Sequence, residues 1–518
     1  MAGRDEAGRY HHRLMGASLR VSPPADSPER SFGGGVSPGD GRKIGLAPLA
    51  ILCVAAVLRL YRLGDDSLWD NEILSFRRAT VDMSEALRML REGTHPPGYS
   101  QGVLRPWLAL GDGEFMQRFP SVVFGVAAVA VTMWVADRIA GRRAGLCAGV
   151  VLAVMPLHVY YSREGRMYAM LAFVVIAWSA ALLRARERDG VIDWILYVGA
   201  GIGVLYTHYY GGFTVLAVVC AVAYLELRHG PTIWSRRWLV ATGSIGVGFL
   251  PWLPSFLHQL GDDPVAHLRP VTPGQLGDLP VLFFTAFAGH GFWDRVLVLG
   301  ALGASLVVAG QTIRAGRASR PEVGFAAAVV VVGLFGTVAL SVLVSLLKPL
   351  VFIRYFVGIL PLVAVLVGVS VARLRPVAVV AVGALLALSV VHTIPTVVDT
   401  WRPPFGEIAD RIDASDQPGD VVVTVGRGRD YRTTGIDFYV EPRIAVSDFR
   451  GSVRDPAFVE VLEEVGDEHR VWVLQYGTVA DLDSPNGRSV LSDERLDSRF
   501  LLHGGYRYSL SLLGPGTS

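Results

Sequence analysis

Across 518 residues only 18% are charged, 51% are hydrophobic, and the mean hydropathy is +0.41. Soluble domains carry about 25% charged residues, so this balance excludes an ordinary soluble protein and points to lipid. A formal net charge of +2 provides no basic field for nucleic acid, and Cys53, Cys147 and Cys220, each inside an apolar run, fit neither a zinc site nor a disulfide framework and read as buried packing residues.

In chain order, residues 1–43 are rich in Arg, Gly, Ser and Pro with almost no aliphatic side chains, which predicts a disordered tail. The first apolar run begins too far from the start for a secretory signal and is expected to be retained as a span. Eleven spanning helices are predicted, at about 45–63, 118–137, 144–160, 166–183, 191–207, 209–226, 238–256, 293–313, 323–346, 352–372 and 376–395. Placing the basic tail in the cytoplasm puts "DRIAGRR", "RARERD", "LRHGPTIWSRR", "IRAGRASR" and "ARLR" on the inner side as well. The outer side then receives 64–117, "YYSREGR", "THYYGG", 257–292, "LKPLVFIR" and everything past 395. This assignment requires that 98–110, with Arg105 and Pro106, lies in the interface rather than spanning. Past 395 the composition changes. "PGDVVVTV" and "HRVWVLQYG" read as strands, and "PFGEIADRIDA" and "DPAFVEVLEEVGD" as helices, so 398–518 is expected to be a small extracytoplasmic α/β domain.

Polar residues within this apolar frame collect on the predicted outer side. "SLWDNEILS" carries Asp70, Asn71 and Glu72. A carboxylate here could be a solvated loop acid, a general base for an acceptor hydroxyl, or a ligand for metal or substrate. The two acids would share a face only in an extended chain. In "YYSREGRMYAM", Arg163 and Arg166 are three apart and on a helix would share a face able to clamp an anion, with snorkelling to headgroups as the bland alternative. Glu164 and Tyr168 lie in the same stretch. Arg354, beside Tyr355 in "FIRYF", is a third arginine against the charge bias. His95 in "THPPGYS" and His208 in "THYYGG" suit interfacial hydrogen bonding or a metal. Glycines in "GAGIGVLY" (199–206) predict close helix packing, and "VGRGRDY" (425–431) is only a weak phosphate-loop pattern.

Taken together these stretches resemble the GT-C superfamily of polytopic glycosyltransferases, in the bacterial branch akin to protein O-mannosyltransferases and lipid A aminoarabinose transferases. "SLWDNE", "THPPGYS", "SREGRMYAM", "THYYGGF" and "RYFVGILP" run in the family's order over about 300 residues. The resemblance implies a GT-C-like transmembrane domain at 44–397 whose first outer loop, 64–117, bears the acids. It also implies a polyprenyl-phosphate sugar donor, an acceptor hydroxyl on a glycan, lipid or protein, a possible divalent metal, and inversion at the anomeric carbon. Asp70 or Glu72 would be the base, with Arg163, Arg166, Tyr168, Arg354 and Tyr355 at the donor phosphate and His95, His208 and Glu164 at substrate or metal. The family's usual base column holds Asn71 here, and an amide cannot take a proton; Asp70 is favoured as base and Glu72 for acceptor or metal. The competing readings are a transporter or flippase, which should carry polar broken helices at mid-membrane, and a catalytically silent scaffold. Either way a multi-pass plasma-membrane protein is expected, with a cytoplasmic N-terminus.

Overall fold

The computed structural model describes residues 45–229, 235–261, 270, 272–287, 290–373, 376–399, 402–426, 435–450, 457–458, 461, 469–476, 496–503 and 507–513. The predicted tail at 1–43, the phosphate-loop pattern beyond Gly426 and most of the helix expected over 455–467 lie outside the described residues.

The first apolar run forms helix α1 (Leu46–Leu60), after which the chain turns into short polar helices, α2 (Asp70–Thr80) and α3 (Met83–Arg91). Asp82 starts α3 by accepting from the backbone N–H groups of Ser84 and Glu85 at 3.0 and 3.1 Å. A π-helical turn over Ser100–Leu104 and the single turn α4 (Arg105–Leu108) follow, so the stretch expected not to span is a short helical segment.

The bundle then continues with α5 (Glu114–Ala140), α6 (Arg142–Ala153), α7 (Pro156–Ser162), α8 (Tyr168–Arg188), α9 (Val191–Thr207), α10 (Tyr209–His229), α11 (Ser235–Phe249) and α12 (Leu253–Gly261). After α13 (Pro273–Thr285) come α14 (Phe292–Ser319), α15 (Pro321–Ser345), a 3-10 helix over Ile353–Ile359 that runs into α16 (Leu360–Arg373), and α17 (Pro376–Val398). Each predicted span coincides with one of these helices or with a bent pair. By length and apolar character, 6 helices among the described residues can cross a membrane, or 8 if the pairs α6–α7 and α11–α12, bent by 63° and 65°, each count as one. The apolar parts of α1, α9 and α10 are shorter than a full span. Pro156 has no N–H to give and sits at the start of α7, which accounts for the break after Ala153.

Gly201 meets its packing expectation, since a Cβ there would run into Ile245 of α11. The cysteines correct theirs. Cys53 and Cys220 are exposed and Cys147 is only half-buried. In a bundle made for lipid the outer surface is as apolar as the interior, so an apolar run does not tell which side a thiol faces.

The C-terminal lobe comprises α18 (Phe405–Asp413), β1 (Val421–Gly426), α19 (Ile436–Tyr439), β2 (Ala445–Arg450), β3 (Val471–Tyr476), β4 (Leu496–His503) and β5 (Arg507–Leu513). Its sheet runs β2-β1-β3-β5-β4, with β1 parallel to β2 and β3, and β5 antiparallel to β3 and β4. Alternation along β1 and β3 makes two buried faces. Val422, Trp472 and Leu474 pack on Phe405, Ile408 and Ile412 of α18, while Val423, Val425 and Val473 pack with Phe458 on the other face. The lobe grips the segment that leads into α2. Tyr439 Oη accepts from the Leu68 N–H at 2.6 Å and donates to Glu114 at 2.8 Å, and Ser67 Oγ accepts from the Gly406 N–H at 2.8 Å.

Candidate active site

Asp70 and Glu72 both lie in the first turn of α2, where free backbone N–H groups and the helix dipole favour negative charge. The segment is helical, so two positions turn through about 200° and the carboxylates leave the helix in different directions. Glu72 is fully buried. Its two oxygens accept from Arg118 Nε at 3.0 Å and Nη2 at 2.8 Å, and one also accepts from the Gly165 N–H at 2.7 Å. Arg402 approaches the same carboxylate at 3.4 Å. Burial alone would raise this carboxyl, but Arg118 and then Arg402 outweigh it and hold it down at about 2. Glu72 is therefore a buried, fully engaged anion. Asp70, one turn-start earlier, is only partly buried.

Arg118 was not singled out by the sequence, although it opens a span as "MQRFP". Besides its fork on Glu72 it donates to the carbonyls of Leu63, Asp66 and Ser67 at 3.0, 2.7 and 2.8 Å, which occupies all five of its N–H groups. These bonds tie the loop before α2 to the head of α5.

Residues 163–167, between α7 and α8, are not helical, and this overturns the expected clamp of Arg163 with Arg166. Without helical geometry the two guanidinium groups diverge. Arg163 donates to the Leu58 and Tyr61 carbonyls at 3.2 and 2.6 Å, closing the C-terminal end of α1. It lines a separate cavity with Asp66, Tyr160, Thr396, Asp399 and Arg402. Arg166 turns to α2 and donates to the Asn71 carbonyl at 3.0 Å and Ser75 Oγ at 2.7 Å.

The other predicted residues do meet. The rings of His95 and His208 lie 5.2 Å apart, His208 and Tyr355 5.2 Å, and Tyr168 and His208 5.9 Å. Arg354 lies over Phe352 and Tyr355, at 4.5 and 5.6 Å from the ring centres. Helix ends supply all of this cluster except His95, which comes from the proline loop: the start of α8, the junction of α9 with α10, and the 3-10 turn before α16. Gly98 lets the proline loop seat here, since its N–H donates to the Tyr206 carbonyl at 2.8 Å and a Cβ would collide with that carbonyl. Glu164 is 1% exposed, and its carboxyl is pushed up to about 7 by burial first and then by the charge of Glu72. His95 is driven well below its usual range by burial and then by Arg166, so it stands neutral.

Five polar atoms in this neighbourhood are buried without a hydrogen-bond partner: His95 Nδ1, Glu164 Oε2, Arg166 Nε, His208 Nε2 and Arg354 Nε. Buried polar groups are normally satisfied by protein or water, and a convergent set without protein partners makes this the candidate site. Arginine and histidine donors predominate, which suits an anion. Among the described residues no group of three or more His, Cys, Asp and Glu is placed to hold a metal ion, so the His95–His208 pair falls short of the ligand set that a metal expectation needs.

Residues 95–254 match the family model described as dolichyl-phosphate-mannose-protein mannosyltransferase. The fold is that of ArnT from Cupriavidus metallidurans bound to undecaprenyl phosphate, with a TM-score of 0.53 and 16% identity over 90% of this chain and 97% of that one. The family match and the shared fold agree with the resemblance to GT-C glycosyltransferases. A second GT-C structure, the arabinofuranosyltransferase AftD from mycobacteria, aligns with a TM-score of 0.50 at 14% identity, covering 91% of this chain and 40% of that one. No curated protein matches by sequence alone. The family match covers "HPPGYS", "SREGRMYAM" and "THYYGGF" and leaves the acid stretch and the late "RY" outside its bounds.

Proposed function

We propose that this chain transfers a sugar from a polyprenyl-phosphate donor to an acceptor hydroxyl at the outer face of the membrane, with inversion. The reading rests on the buried, unpartnered donors of His95, His208, Arg166 and Arg354, of which Arg166 also donates to the Asn71 carbonyl in the first turn of α2. Undecaprenyl phosphate in the ArnT structure gives the same donor chemistry in a chain of the same fold. The five basic loops predicted on one side support the cytoplasmic N-terminus and an outward-facing site and lobe.

Asp70 is the base. Its carboxylate takes the acceptor's hydroxyl proton as the oxygen attacks the anomeric carbon, and the bond from that carbon to the phosphate oxygen breaks with its electron pair going to phosphate. The departing phosphate gains negative charge, and Arg166 and Arg354 meet it there. Donors aimed at charge that develops during reaction lower the barrier rather than only improving binding. Tyr168 and Tyr355 border the same space. Glu72 serves the site by holding the loop through Arg118, and Arg163 by closing α1.

The test is transfer of label from a panel of radiolabelled polyprenyl-phosphate sugars in membranes containing the wild-type chain or Asp70→Asn. Label should move with at least one donor in wild type and not in the variant. Transfer that survives Asp70→Asn overturns the base assignment, and failure with every donor while a labelled lipid changes leaflet favours a flippase.

A further inference from the structure

One cavity near the site is not accounted for by transfer from a single phosphate. It lies beneath α2 and α3 and is lined by Ser75, Arg78, Leu90, His95, Pro96, Tyr99, Ser100, Arg166 and Met167. Four of these residues carry buried polar atoms without a partner, namely Arg78 Nε, His95 Nδ1, Ser100 Oγ and Arg166 Nε. Arg78 is 6% exposed and Arg166 3%. No carboxylate lines the cavity, and among the described residues neither guanidinium has an ion-pair partner. Two arginines kept out of water side by side, with no acid between them, are costly to a protein that holds nothing there.

We propose that this cavity is a second anion subsite, which takes a compact oxyanion, phosphate or carboxylate, between the Arg78 and Arg166 guanidinium groups. Ser100 Oγ and His95 supply further donors, and Leu90, Pro96 and Met167 form apolar walls beside them. Arg78 carries no assignment in the transfer reaction, and the signals that selected Arg163 and Arg166 do not reach it. Arg166 and His95 also serve the donor phosphate in the transfer reading, so Arg78 and Ser100 are the subsite's own residues, and its link to a substrate rests on that reading. Asp70 and Arg78 are eight residues apart on α2, about 12 Å along its axis. A molecule engaging both therefore carries its anionic group on the order of 10 Å from the reacting hydroxyl. The cavity lies under polar helices rather than among apolar spans, and this favours the acceptor over the lipid-tailed donor as the source of the anion.

The experiment uses the full chain, purified, with Arg78→Met, Arg78→Lys and Ser100→Ala. Inorganic phosphate, compared with chloride at equal ionic strength, should raise the unfolding temperature of wild type. Arg78→Met should abolish that rise and Ser100→Ala reduce it. Undecaprenyl phosphate binding, with undecaprenol as the neutral control, identifies the source. Binding within twofold of wild type in Arg78→Met, with the phosphate response lost, assigns the subsite to the acceptor; a tenfold or greater loss assigns it to the donor. Should Arg78→Met not fold, Arg78→Lys, which keeps the charge without the fork, carries the comparison. A wild-type chain that responds equally to phosphate and chloride, or variants that keep the full response, overturns the subsite. Neither readout requires sugar transfer, so these results and a failure of the transfer assay are separable.

Discussion

Asp70 and Glu72 stand two positions apart and do unlike work, and the difference is measurable. Glu72→Gln leaves Arg118 buried without its counter-charge, a change that typically costs 3–5 kcal/mol; its expected signature is a large fall in unfolding temperature. Asp70→Asn is partly buried and should keep the wild-type unfolding temperature while losing about 100-fold or more of turnover. Glu164 gives a pH-dependent test. A carboxyl whose folded value of about 7 lies above the ordinary 4.5 adds no penalty below about pH 4.5. The penalty grows between the two values and reaches roughly 3 kcal/mol above them. Glu164→Gln should therefore gain far more stability over wild type at pH 8 than at pH 5, as thermal unfolding at the two values would show. At this scale the sequence picks out residue types well and their partners poorly. His95, His208, Arg166, Tyr168, Arg354 and Tyr355 were all legible from position and motif. Arg118, Arg78 and Arg402 were not, because their importance lies in what they touch across 46 or more positions of chain or in a cavity that forms only on folding.

Among the elements, apolar spans read cleanly because a bilayer leaves the backbone little choice. The bends were less legible. The expected clamp of Arg163 and Arg166 assumed a continuous helix, whereas α7 stops at Ser162 and α8 resumes at Tyr168. That break is itself held by side chains. Arg59, fully buried in α1, donates to the Ala153 carbonyl at 3.0 Å, the Leu152 carbonyl at 3.3 Å and His158 Nδ1 at 2.7 Å, and so satisfies carbonyls that the α6–α7 bend releases. The proline loop seats as tightly. Gly98→Ala forces a methyl against the Tyr206 carbonyl, an overpacking that costs about 1–3 kcal/mol. Its expected effect is a lower unfolding temperature together with weaker donor binding, since His95 rides on the same loop. Of the C-terminal strands, β1 and β3 are apolar enough to identify from composition, whereas β2, β4 and β5 mix polar and charged residues at the sheet's side and lack that signal.

In the molecule as a whole, the loop leading into α2 is fastened from both directions in sequence. Arg402, just past α17, donates to the Arg163 carbonyl at 2.7 Å and reaches Asp66 at 3.5 Å and Glu72 at 3.4 Å. Arg402→Gln should lower turnover several-fold while the lobe stays folded, checked by turnover beside limited proteolysis; unchanged turnover would restrict Arg402 to packing. Tyr439 and Gly406 fasten the same loop from further along the chain. These attachments bear on how the protein is made. Synthesis runs from the N-terminus, so the helices through α17 can enter the bilayer before the residues that secure the loop leave the ribosome. A chain halted before Arg402 would thus be inserted yet idle, and competence would arrive only once the residues that fasten the loop have been translated.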